Sequence, residues 1–174
     1  GGISKLIATR DDFHIDFDVL EKAITPRTKI VLINTPNNPT GVVYSADELD
    51  NLGELLQRKS QEFGRVITLV SDEPYKNISF DIEVPSIFNS CKNSIVATSY
   101  SKDLALPGER IGYLAISPAH EDREMVQKGS VIALRTLGFV NAPAIWQRVI
   151  PLIGDAMVDL APYRKNRDLL FNHL

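Results

Sequence analysis

The sequence predicts an α/β fold: a three-layer, mostly parallel, doubly wound sheet with a helical C-terminal part. Three observations predict it. Short, continuous apolar runs recur up to Ile116, as expected of strands buried on both faces. Helical stretches or Pro/Asn/Gly-rich turns separate those runs, the pattern of parallel strands joined by crossovers. From Pro118 onward the texture is helical only.

The elements follow in order. Residues 18–24 read as a short helix stopped by Pro26, and 29–34 (KIVLIN) as a buried strand. The strand ends in the turn from Thr35 to Gly41. Ser45 followed by Glu48 has the spacing of a capping box. Leu49, Leu52, Leu55 and Leu56 then recur at helical spacing, and Gly64 ends that helix. Residues 66–70, 94–98 and 111–116 are three more strands. Helices are expected at about 119–137, 142–153 and 156–174, parted by Gly138–Asn141 and Gly154. Pro162 fits the last of these only in its first turn or at a kink.

Composition narrows the class. A chain of 174 residues can hold one sizeable core, and 44% hydrophobic with 24% charged residues is ordinary for a globular domain. A net charge of −3 points to no nucleic-acid or anionic-membrane partner. One cysteine, Cys91, excludes an internal disulfide and fits a reducing, cytoplasmic compartment. No apolar run approaches the ~20 residues of a membrane span. His14, His120 and His173 lack metal-ligand spacing, so no metal is expected. No Gly-x-Gly-x-x-Gly follows a strand, which disfavours a dinucleotide site.

The chemistry-bearing residues follow predicted strands. Asn37-Asn38-Pro39-Thr40-Gly41 follows the first, Ser71-Asp72-Glu73-Pro74-Tyr75 the second, and Ser99-Tyr100-Ser101-Lys102 the third, with Arg110 eight residues beyond. In open α/β sheets, ligands sit at such carboxyl ends. Each motif has a plain reading: a turn, a cap on Glu73-Pro74, a surface lysine, an ion pair of Arg110 with Glu109. Together they supply an amine, a carboxylate, two neutral donors and a cation beside hydroxyls. Pyridoxal 5′-phosphate needs that set: an amine to form an imine, a carboxylate for its ring nitrogen, donors for its phenolate, and a cation for its phosphate.

These motifs resemble those of the class I/II aminotransferases, the fold-type I pyridoxal-phosphate enzymes related to aspartate aminotransferase. The stretch from Pro107 to Tyr113 (PGERIGY) adds to the likeness. The resemblance implies the large domain of a pyridoxal-phosphate-dependent transferase over residues 1–155. Residues 156–174 would begin the interdomain helix to a small domain beyond the chain. Lys102 would be the Schiff-base lysine, Asp72 the ring-nitrogen partner, Asn38 and Tyr75 the phenolate donors, and Ser99 and Arg110 the phosphate ligands. Lys102 and Asp72 are thus the expected catalytic pair. The implied reaction is transamination between an α-amino acid and a 2-oxo acid by a homodimer. The fragment would lack activity alone, since no carboxylate-clamping arginine is evident. A C–S β-lyase would share the same residues, and some transcription regulators carry such a domain as a ligand sensor.

Overall fold

The computed structural model describes residues 2–174. Helix α1 (Phe17–Ala23) is capped by the Asp16 side chain, which accepts from the Val19 amide, and strand β1 (Ile30–Asn34) follows. Helix α2 (Ala46–Phe63) has the expected capping box. The Glu48 amide donates to Ser45 Oγ at 3.2 Å, and the Ser45 amide donates to Glu48 Oε2 at 3.2 Å. Gly64 closes the helix in the left-handed conformation (φ 63°), which costs a glycine nothing. Strand β2 (Thr68–Asp72), helix α3 (Ile87–Ser90) and strand β3 (Ser94–Ser99) come next, with a 3₁₀ turn over Lys76–Ile78. Helix α4 (Tyr100–Asp103), a 3₁₀ turn over Pro107–Glu109 and strand β4 (Gly112–Ile116) follow. Helices α5 (Arg123–Thr136), α6 (Ala144–Ile153) and α7 (Ala161–His173) complete the chain.

The four strands form one sheet in the order β1-β2-β3-β4. The first three are parallel and β4 is antiparallel to β3, so the sheet is mostly parallel as expected. Its order is sequential, with no reversal among the described residues. Leu49, Leu52, Leu55 and Leu56 of α2 bury against Ile33, Leu69 and Val96 on one sheet face, joined by Ile67 and Ile87. Each fully buried leucine contributes about 1.5–3 kcal/mol of transfer free energy, and this cluster sets which face looks inward. The opposite face is open at Ile30 (57% exposed), Leu32 (68%) and Leu114 (51%).

Boundaries differ from the sequence reading where local hydrogen bonds intervene. The second apolar run begins at Val66, but the strand begins at Thr68, because the Ile67 amide donates to Ser60 Oγ at the end of α2. At its other end the strand reaches Asp72, which pairs with Asn34 of β1 and Ala97 of β3. Helix α5 starts at Arg123 rather than near 119, because His120 forms a turn instead. The Asp122 amide donates to His120 Nδ1 (3.1 Å), so Nε2 carries the proton and donates to Thr68 Oγ1 (3.1 Å). Burial holds this imidazole below its usual pKa, in keeping with a neutral structural ring. Helix α7 starts at Ala161, which puts Pro162 in the first turn, where its missing N–H is harmless.

Two glycines test the packing. A Cβ on Gly53 of α2 would lie 2.0 Å from the Ser90 carbonyl oxygen, whereas one on Gly129 of α5 would meet nothing within 4 Å. Gly53→Ala is expected to lower the urea-unfolding free energy by about 1–3 kcal/mol through backbone overpacking. Gly129→Ala should leave it unchanged or raise it by up to about 1 kcal/mol through helix propensity.

Candidate active site

Sheet register assembles the site. Asn34 and Asp72 are the last residues of adjacent parallel strands and pair in register. The Asn34 amide nitrogen donates to the Asp72 carbonyl (2.9 Å) and to Asp72 Oδ2 (3.3 Å). Its oxygen accepts from Asn37 Nδ2 and from the Asn38 amide, both at 3.1 Å. The turn beyond is held by Asn37 Oδ1, which accepts from the Thr40 amide and hydroxyl, and Gly41 takes the left-handed conformation (φ 75°) that closes it. Asn38 Nδ2 then donates to Tyr75 Oη at 3.0 Å, and Lys102 Nζ lies 5.7 Å from the centre of the Tyr75 ring. A continuous series of contacts thus brings together Asp72, Asn38, Tyr75 and Lys102.

Ser99 and Arg110 come from the neighbouring strand pair. Ser99 ends β3 and precedes α4, which carries Lys102, and its hydroxyl takes no part in capping that helix. Gly112 of β4 is its register partner. A Cβ on Gly112 would stand 2.4 Å from the Thr98 carbonyl oxygen and 3.0 Å from Ser99 Cα, so only glycine lets the strands approach here. Arg110, two residues earlier, has a left-handed backbone (φ 51°, ψ 48°), and its Nη1 donates to the Pro107 carbonyl at 2.7 Å. Glu109 is not its ion-pair partner; Glu109 Oε2 instead accepts from the Trp146 indole N–H.

Asp72 is not a helix cap, since it lies within β2 and the following helical turn begins after Tyr75. Burial pushes its carboxyl above the usual range, and among the described residues no cation pairs with it. Glu73, the next residue, turns inward to pair with Lys76 (2.9 Å) and leaves Oε1 without a partner. The sequence alone marks Asn34 only as a strand's final residue. An amide at a strand end, four residues before a turn asparagine, was the available signal. Arg164 of α7 donates to the Phe80 carbonyl at 2.6 Å and lies 3.7 Å from Asp81.

A sequence model of the family described as aminotransferase class I and II matches residues 4–159. The chain belongs to this family. Aminotransferases of known structure share its fold: an amino transferase from Eubacterium rectale superposes with a TM-score of 0.90 at 43% identity, covering 95% of this chain and 42% of that one. A pyridoxal-phosphate-dependent aminotransferase from Streptococcus suis gives 0.65 at 30% identity, covering 91% and 37%. Among curated relatives, a probable aspartate aminotransferase of Methanocaldococcus jannaschii is 30% identical over 99% of this chain and 46% of its own length. The aspartate/prephenate aminotransferase of Thermus thermophilus is 30% identical over 100% and 45%. The chain therefore spans less than half the length of these curated relatives.

The family's cofactor is pyridoxal phosphate, and the side chains present fit it. A partly buried carboxylate lacking a cation suits a pyridinium nitrogen. Arg110, engaged by no carboxylate among the described residues, suits a phosphate. Asp72, with no cation beside it among the described residues, carries a cost that pH exposes. Because its folded pKa is raised, its stabilising protonated form is present below about pH 3.9 and lost as pH rises through the folded value. Asp72→Asn is expected to raise Tm at pH 7 by on the order of 1 °C, the carboxylate being only partly buried, and to leave it unchanged at pH 3. Thermal melts at the two pH values check this. The added Tm that pyridoxal phosphate gives the native chain at pH 7 should shrink in the variant.

Proposed function

We propose that this chain is the cofactor-binding part of a pyridoxal-phosphate-dependent aminotransferase that moves an amino group between an α-amino acid and a 2-oxo acid. The observation that carries the proposal is the contact series Asp72–Asn34–Asn38–Tyr75–Lys102, built on adjacent carboxyl ends of strands. Aspartate, named for several relatives, is the first substrate to try.

Each side chain has a task. Asp72 holds the proton on the ring nitrogen, which its position at the end of β2 and its want of a cation favour. Asn38 and Tyr75, already joined by a hydrogen bond, direct N–H and O–H donors at the phenolate oxygen. Ser99 and Arg110 hold the phosphate, the hydroxyl as a neutral donor and the guanidinium as a charged fork. Lys102 would hold the cofactor through its amine and would take up the substrate's Cα proton as general base. When bound, the cofactor supplies an electron sink for the pair left at Cα.

Residues 1–155 form the large domain in this reading, and 156–174 begin the interdomain helix. The open apolar face at Ile30, Leu32 and Leu114 supports further protein around the chain, since exposed apolar area of that kind marks an interface. The working form is a homodimer in a cytoplasmic, reducing setting. No helix among the described residues is long and apolar enough to cross a membrane.

Lys102 decides the proposal. The chain mixed with pyridoxal phosphate and reduced with borohydride should carry the cofactor's mass on one peptide, the one containing Lys102. Lys102→Ala should carry none, as read by mass spectrometry. A label on another lysine, or undiminished labelling of the variant, would sink the assignment.

A further inference from the structure

We propose that Asn34 is the positioning residue of this site, a single amide that locks Asp72 and the Asn37–Asn38 turn to each other. The contact to the cofactor's ring nitrogen and the contact to its phenolate oxygen are then set as one unit. The inference rests on the pyridoxal-phosphate reading above.

The hydrogen-bond inventory carries it. A carboxamide has two N–H donors and one oxygen with two lone pairs. Asn34 uses both sides: Nδ2 to the Asp72 carbonyl and Oδ2, Oδ1 from Asn37 Nδ2 and the Asn38 amide. Nothing is left over for a ligand, so the residue acts through its neighbours. The orientation is fixed by chemistry, because a reversed amide would aim lone pairs at the Asp72 oxygens and N–H at the Asn38 N–H. Register makes the reach short, since Asn34 and Asp72 sit opposite each other on strands about 4.8 Å apart. The Thr35 amide adds a second bond to the Asp72 carbonyl at 3.3 Å. Asn38 hands the constraint on to Tyr75.

Few side chains can replace this one. Aspartate keeps the acceptor for the turn, loses the donor, and sets a carboxylate against Asp72. Glutamine is a methylene too long, and leucine has the shape without the polarity. Asn34→Asp should therefore cut one arm and spare the other, while Asn34→Ala cuts both.

The split is measurable in the full chain without cofactor. In Asn34→Asp, the carbon-13 NMR titration midpoint of the Asp72 carboxyl should rise by about half a unit or more, as expected beside a second carboxylate. Hydrogen exchange at the Asn38 backbone amide should stay as in the native chain. In Asn34→Ala the Asp72 midpoint should also rise, and Asn38 exchange should quicken about tenfold or more. With pyridoxal phosphate added, the Ala variant should bind at least about tenfold more weakly, the scale of a lost charge-assisted hydrogen bond. An Asp72 midpoint unmoved in both variants, or equal loosening of both arms in both, overturns the positioning role alone. A native chain that takes up no pyridoxal phosphate at Lys102 overturns the functional reading and this role with it.

Discussion

The site hangs on the parallel alignment of β1 with β2. Ile33 and Leu69 lie under the leucines of α2, so the sheet has one face that must point inward. A slip of one residue between the strands would turn every side chain over and move the apolar set to the solvent side. It would also part Asn34 from Asp72. The register that hides the core is the register that places the polar strand ends side by side. Core and site are two results of one constraint.

That arrangement leaves charges unanswered at both ends. Asp72 at the end of β2 has no cation among the described residues, and Arg110 before β4 has only a backbone carbonyl. In the proposed site, the ring nitrogen of pyridoxal phosphate would answer the first and its phosphate the second. Charges kept for a ligand in this way would trade stability for function.

The sequence was legible wherever a single local pattern governed the outcome. The α2 capping box, the apolar runs of the four strands and the Pro162 position each rest on residues close in the chain. So did the motifs carrying Asn38, Asp72, Tyr75 and Lys102, because each closes its own strand. What was hidden depended on partners distant in sequence. The start of β2 was decided by Ser60, and the late start of α5 by His120 reaching Thr68 across the fold. The reversed direction of β4 and the role of Asn34, whose partner is 38 residues away, had no local mark. Short helical turns such as Lys76–Ile78 have too few residues to show a period.

Arg110 sits where the backbone would choose glycine. For a residue with a Cβ, the left-handed conformation costs roughly 1–2 kcal/mol that glycine escapes. Screens that rank substitutions by backbone fit or melting temperature would therefore favour Gly at 110, and the gain would be real. It would also strip the guanidinium from the candidate phosphate end of the site. Thermostability alone is thus a misleading guide at this position: the improved protein would be the one that had lost its grip.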